Sequence, residues 1–229
     1  FPSKKVERYK YTDIQKLFAP DYGVNLSRLQ IPVDPYEAFR CDVPNLSTSL
    51  YFVVNDMFYR GEKPEARGER IPHANPHLPE GVIVDSLKEV FSHPSPLTSH
   101  LSEYYAKLAE TSDDAVTALN TMLAQDGMLV YVPKNVKVDR AIQVINILKA
   151  TPSNAQRQVP DLMVNRRVLI ILEEGAEIKM LFCDHAADDR HFLTTQVIEA
   201  YVGNNASLDL YCLEETHHKN VRVSNVYID

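Results

Sequence analysis

Beyond Gly127 the apolar residues settle into the two-residue period of extended strands and keep it to Asp229. Strand-like runs occupy Met128 to Val132, Ala141 to Leu148, Val168 to Leu172, Ile178 to Cys183, Phe192 to Val202, Leu208 to Leu213 and Val221 to Ile228. The segment from Glu173 to Met180 echoes the segment from Gly203 to Leu210, with Ala176 and Ala206 equivalent. A weaker echo puts Val136 of Pro133 to Val138 in the same place. Each unit reads as a strand, a tight turn, a small inward residue and an alternating strand. Such units at intervals of 30 to 40 residues suit a β-solenoid, whose coils bury their inner faces only by stacking. The pattern favours the solenoid over a sandwich or a double-stranded helix of the cupin kind, both of which yield similar strands. It predicts Ile178, Met180, Leu208 and Leu210 in one shared core. Gly175 and Asn204 or Asn205 fall at corners, which need residues tolerant of positive φ.

The first 125 residues have a different texture. Thr12 to Leu17 reads as a short capped helix, and Leu50 to Tyr59 as a hairpin turning at Asn55 and Asp56. Residues 20–49 keep no period and are punctuated by Pro32, Pro35 and Pro44. Arg60 to Pro79, rich in proline, reads as a surface loop on which His73 and His77 are solvated. Helical spacing then relates Leu87, Val90 and Phe91, and again Leu97, Leu101, Tyr104, Tyr105 and Leu108. Thr111, three before Asp114, reads as the start of an amphipathic helix. Its stripe is Ala115, Val116, Leu119, Met122 and Leu123, a packing face that needs no cofactor. The division is therefore a mixed, mostly helical α/β region over 1–125 and a mainly β core over 126–229.

The 229 residues carry 24 Lys and Arg against 31 Asp and Glu, a net charge of −7, which disfavours nucleic acid as a partner. The longest wholly apolar run, Val168 to Leu172, is far below the ~20 residues that cross a bilayer. Three cysteines, Cys41, Cys183 and Cys212, make no disulfide framework, and no secretory leader opens the chain. A soluble protein in a reducing, cytoplasmic setting is expected. No glycine precedes a lysine and none has dinucleotide-fingerprint spacing, so neither familiar phosphate-cradling loop can be drawn. Trp is absent, which weakens a carbohydrate platform. A first residue of Phe suggests a trimmed chain.

The residue types that bind metals gather at Cys183, Asp184, His185 and His191, then at Cys212, His217 and His218. Their spacing matches no closed site. Cys212 shares a strand face with Leu208 and Leu210 and is expected to be buried. Cys183 shares a face with Lys179 and Leu181 beside a loop from Asp184 to Arg190, and His217 and His218 follow Glu214 and Glu215 in a turn. Adjacent carboxylates (Glu173 with Glu174, Asp188 with Asp189, Glu214 with Glu215) point to opposite faces of a strand and cannot work as a dyad. No Gly-Ser-Gly elbow is present. No catalytic, cofactor-binding or metal-ligating residue is assigned, and a non-catalytic scaffold is preferred to a metal-dependent or polysaccharide-acting β-helix enzyme.

The run from Ala118 to Gly127, followed by Val130 to Val136, resembles the signature stretch of the SufB/SufD family of iron-sulfur cluster assembly proteins. The opening Phe1 to Lys5 with Tyr9-Lys10-Tyr11-Thr12 is similar to the family's Pro-Thr-Arg-Lys and Trp-Lys-Tyr-Thr motifs, with Tyr9 in place of the usual Trp. Glu174-Gly175-Ala176-Glu177 also matches. The short N-terminal lobe and opening motif look more like the SufD branch. The resemblance implies a right-handed parallel β-helix after a helical N-terminal region. It also implies a scaffold role beside a SufB-like subunit and a SufC-like ATPase, with clusters forming transiently on the assembly and no cofactor held by this chain. The family's Cys-Ser-His-Gly-Ala stretch and C-terminal helices have no counterpart in these residues, so the chain is expected to stop inside the β-helix. Its exposed last coil would then favour self-association of the isolated piece.

Overall fold

The computed structural model describes residues 1–20, 22, 35, 47–60, 78–150, 162–187 and 189–229. Cys41, Pro32, Pro44, Asp188, and the proline-rich stretch with His73 and His77 lie outside the described residues. The chain is mainly β, with two mixed five-stranded sheets and few helices.

One sheet holds β1 (Ser49–Val54), β2 (Met57–Tyr59), β5 (Ile142–Leu148), β7 (Glu177–Ala186) and β9 (Ser207–Glu215), in the order β2-β1-β5-β7-β9. The other holds β3 (Ile83–Ser86), β4 (Met128–Val132), β6 (Leu162–Leu172), β8 (Phe192–Val202) and β10 (Asn220–Ile228), in the order β10-β8-β6-β4-β3. From β4 onward the chain therefore passes from one sheet to the other at every strand. Within each sheet the successive strands are parallel, and among the described residues only β2 and β3 run antiparallel, each at an outer edge.

The register carries the periodicity seen in the sequence. Leu162 lies beside Phe192 and Leu172 beside Val202, a constant step of 30 residues; Glu177 lies beside Ser207 with the same step. One side of each sheet faces the other across a single apolar cluster that includes Val130, Val144, Ile170, Ile178, Met180 and Ile198, with Leu208 and Leu210 packed against it. The corners stack as well. Asn135, Gly175 and Asn205 all have positive φ (59°, 69° and 58°), in the left-handed region that favours Gly and Asn. The residue after each, Val136, Ala176 or Ala206, donates its N–H to the carbonyl three back (Pro133, Glu173 or Gly203) at 2.9–3.2 Å. Between corners, Asn135 donates to the Glu174 carbonyl at 2.8 Å and Gly175 to that of Asn204 at 2.9 Å, so the turns continue the ladder of the strands. A Cβ on Gly175 would lie 2.5 Å from Asn135 Oδ1, which adds a steric reason for glycine there.

Helices α2 (Leu87–Ser92), α3 (Pro96–Ser102) and α4 (Lys107–Glu110) follow a first short helix, α1 (Ile14–Leu17), and precede α5 (Ala115–Leu123). Leu87, Val90, Phe91, Leu101, Tyr104 and Tyr105 pack on Leu129, Leu169 and Ile171, the outer face of the β4/β6 sheet. The helical spacing in the sequence thus marks the layer that covers this sheet.

Several boundaries differ from those expected. The α5 cap is Asp114, whose side chain accepts from Thr117 N, and Thr111 lies outside the helix. Its buried residues are Val116, Thr117 and Asn120, while Ala115 and Met122 are exposed. The helix sits with a polar edge against the sheet because Asn120 bonds to strand groups. Likewise α1 is capped by Asp13 rather than Thr12. Strand β6 begins at Leu162, six residues before the apolar run, and β7 continues through Asp184 and His185, which the sequence placed in a loop. Strand β3 has no counterpart among the expected elements.

Candidate functional site

Strand alternation disperses the Cys and His residues singled out in the sequence. On β7, Cys183 turns away from the inter-sheet core yet is wholly buried, packed with Phe52, Ile145 and Ile147 and accepting from Gln143 Nε2 at 3.6 Å. Asp184 points the opposite way, into the space between the sheets. His185 turns outward again, with Nδ1 3.2 Å from Glu215 Oε2. His191 stacks obliquely on Tyr22, and His217 and His218 pair edge to face with centroids 6.2 Å apart. Cys212 is exposed, which corrects the expectation of burial. It does stand on the face of Leu208 and Leu210, beside Phe182, but β9 is the edge strand and its outer side is uncovered. Among the described residues no three His, Cys, Asp or Glu side chains gather to hold a metal ion.

The structure does gather a set of charges that spacing arguments missed. Asp184 of β7 bridges Arg166 of β6 and Arg222 of β10, and Arg222 Nη2 reaches Glu214 of β9 at 3.1 Å. Two guanidinium and two carboxylate groups from four strands therefore balance one another across the sheets. Burial pushes the Arg166 guanidinium down from its ordinary value, opposed by the Asp184 carboxylate that holds it up; an arginine stays charged under that pressure. On the opposite side of the same sheet, Arg167 pairs with Glu199 of β8 under the helices. Arg167 Nη1 donates to Thr121 Oγ1 at 2.8 Å, and Glu199 accepts from Ala106 N at 3.0 Å and Ala109 N at 2.8 Å. One signal for both groups was available. Charged residues inside strands otherwise apolar on both faces, such as Arg166-Arg167 between Val164 and Val168, are buried only when paired.

The motif residues quoted from the sequence occupy joints of the fold. Asn120 Nδ2 reaches the Arg166 carbonyl at 3.0 Å and Thr195 Oγ1 at 2.9 Å, tying α5 to β6 and β8. Asp126 accepts from Ser86 Oγ (2.7 Å), Phe58 N (3.0 Å) and Lys88 N (3.2 Å), joining β2, β3 and α2. Tyr9, buried beside Ile14 and Val116, donates to Asp114 Oδ2 at 2.5 Å. Asn225 of β10 donates to Asp114 Oδ1 at 3.2 Å, so the opening motif is anchored to α5 and to a late strand together.

A model of the SufBD protein N-terminal region matches residues 1–144, and a model of the SUF system FeS cluster assembly SufBD core domain matches residues 153–229. The chain belongs to the SufBD family. Among curated proteins of Arabidopsis thaliana it is similar to Protein ABCI7, chloroplastic, with 31% identity over 132 residues, 57% of this chain and 26% of that protein. It is also similar to the iron-sulfur cluster assembly SufBD family proteins ABCI9 (24% identity over 139 residues, 60% of this chain, 27% of that protein) and ABCI8, chloroplastic (26% over 129 residues, 56% and 21%). The matched stretch thus spans about a quarter of the length of these relatives. Among the described residues no helix is long and apolar enough to cross a membrane.

The anchoring of the family's opening motif gives a prediction with a pH sign. Desolvation raises the Asp114 pKa, but hydrogen bonds from Tyr9, Thr117 N and Arg8 outweigh it and hold the carboxyl below its ordinary 3.8. A depressed folded-state value means stabilisation that is present above the unfolded value and lost as pH falls through the folded one. The urea midpoint should fall more steeply below about pH 4 in the native protein than in Asp114→Asn. At pH 7 the substitution should cost about 1.5–3 kcal/mol, as for a hydrogen bond to a charged group. Parallel acid profiles for the two proteins would refute this role for Asp114.

Proposed function

We propose that this SufBD family chain is part of a non-catalytic scaffold subunit of the SufD branch, which pairs with a SufB-like subunit and works with a SufC-like ATPase in a reducing compartment such as the cytoplasm. The observation that carries the reading is the family match over both the N-terminal region and the core domain. The side chains best suited to chemistry support it, because they are spent on packing or charge balance: Cys183 in an apolar cluster, Asp184 between two arginines, Glu199 against Arg167. We further read the two sheets as two walls of a right-handed parallel β-helix, each coil contributing one strand to each sheet. The chain's alternation between sheets, the step of 30 residues and the stacked corners support that architecture. On this reading iron-sulfur clusters form transiently at the assembled complex and this chain holds no cofactor.

The test is co-purification of the full-length protein with its SufB-like and SufC-like partners. A stoichiometric complex, with ATP hydrolysis residing in the SufC-like subunit, is the expected result. Failure to form any complex at micromolar concentrations would overturn the scaffold reading. So would one metal per chain, held by the protein alone and lost in Cys183→Ser or His185→Ala.

A further inference from the structure

The space between the sheets changes character along the strands. At the corner end it is apolar, around Ile178, Met180, Ile170 and Ala200. Farther along β6 and β7 it becomes polar, and there the packing leaves a cavity lined by Val53, Asp56, Met128, Asn146, Arg166 and Gln196 among others. About 10 Å³ of it is open to the centre of a water-sized sphere. That is close to the ~10–15 Å³ that a single water needs.

Two residues of this wall carry a buried donor with no acceptor among the described residues, Asn146 (Nδ2) of β5 and Arg166 (Nη2) of β6. Arg166 uses its other nitrogens on the Asn55 carbonyl (Nε, 2.9 Å) and on Asp184 (Nη1). A buried donor with no acceptor is costly, and native interiors satisfy such groups with ordered water where the cavity is polar and large enough. We infer that this cavity is a binding site for one internal water molecule, which accepts from Asn146 and Arg166 and donates toward the Asp56 side of the wall.

Charge decides the ligand. The Arg166 cation is already matched by Asp184, and the wholly buried Asp56 carboxylate lines the same space, so an anion would meet a negative neighbour there. Two donors facing a carboxylate suit a neutral molecule that both accepts and donates. The volume admits one small molecule. The site joins the β1–β2 turn to β5 and β6, so the water would bridge the antiparallel edge of one sheet to the parallel strands of both.

The inference is independent of the chain's partners and is tested on the full-length protein. A crystal structure at high resolution should show one water within hydrogen-bonding distance of Asn146 Nδ2 and Arg166 Nη2. An empty cavity would overturn the inference, and an anomalous peak there after a bromide soak would replace the water with an anion. In solution, oxygen-17 magnetic relaxation dispersion should report one fewer long-lived water in Asn146→Leu, which removes a donor and fills the space. An unchanged number of long-lived waters in a folded Asn146→Leu would overturn it as well. If that variant does not fold, the crystallographic outcomes on the native protein decide.

Discussion

Glu199→Ala is expected to lower the unfolding free energy by about 3–5 kcal/mol, a large share of the ~5–15 kcal/mol available to a domain. Glu199 is 0% exposed and serves two partners at once. It neutralises Arg167, whose guanidinium also lies 5.2 Å from the Tyr105 ring centroid. It also caps α4, whose N-cap residue Ala106 is in the left-handed conformation and makes no side-chain cap bond. Alanine would leave a buried cation and two N–H groups unpaired. Glu199→Gln keeps an acceptor for the helix and should fall between. The decisive comparison is Glu199→Ala with Arg167→Met, because replacing both charges removes the orphaned cation. The double variant should be more stable than Glu199→Ala alone. A urea midpoint for Glu199→Ala equivalent to a loss below about 1 kcal/mol would show that the pair does not hold the helices to the sheet.

How much of this was legible follows the physics of each region. The apolar half of the interior was readable, because a period of two with a constant step between units places Ile178 over Leu208 and Met180 over Leu210. The corners were readable at Gly175 and Asn205 for the same reason that only certain residues accept positive φ. The polar half was not. Asn165-Arg166-Arg167 breaks the apolar run, so the pattern predicts a strand only from Val168, and the partners that justify burying those charges come from strands far away in sequence. Asp114 displaced Thr111 as the α5 cap because several capping residues compete within four positions, and tertiary bonds from Tyr9 and Asn225 select one. For the Cys and His cluster the signal was present. The rule that sends adjacent carboxylates to opposite faces also separates Asp184 from Cys183 and His185.

Cys212 shows where strand periodicity stops being informative, and the same reasoning fixes the last expected result. Period two says which way a side chain points; burial also requires a neighbouring strand on each side. Met180 has them, standing between Ile142 of β5 and Leu210 of β9, and is 0% exposed. Leu210 points the same way on the edge strand and is only half-buried. Met180→Asp should therefore cost on the order of 4 kcal/mol or more, since it loses apolar burial and places a carboxylate inside the apolar cluster. Leu210→Asp in this 229-residue chain should cost about 1–2 kcal/mol, because water reaches the new charge. The pH response separates the two further. Desolvation would raise the pKa of an aspartate at 180 above its unfolded value, so the penalty should shrink as pH falls through that raised value, while Leu210→Asp should show little such recovery. Equal urea midpoints for the two variants across pH 5–8 would contradict the stacking of β5, β7 and β9 on a common interior.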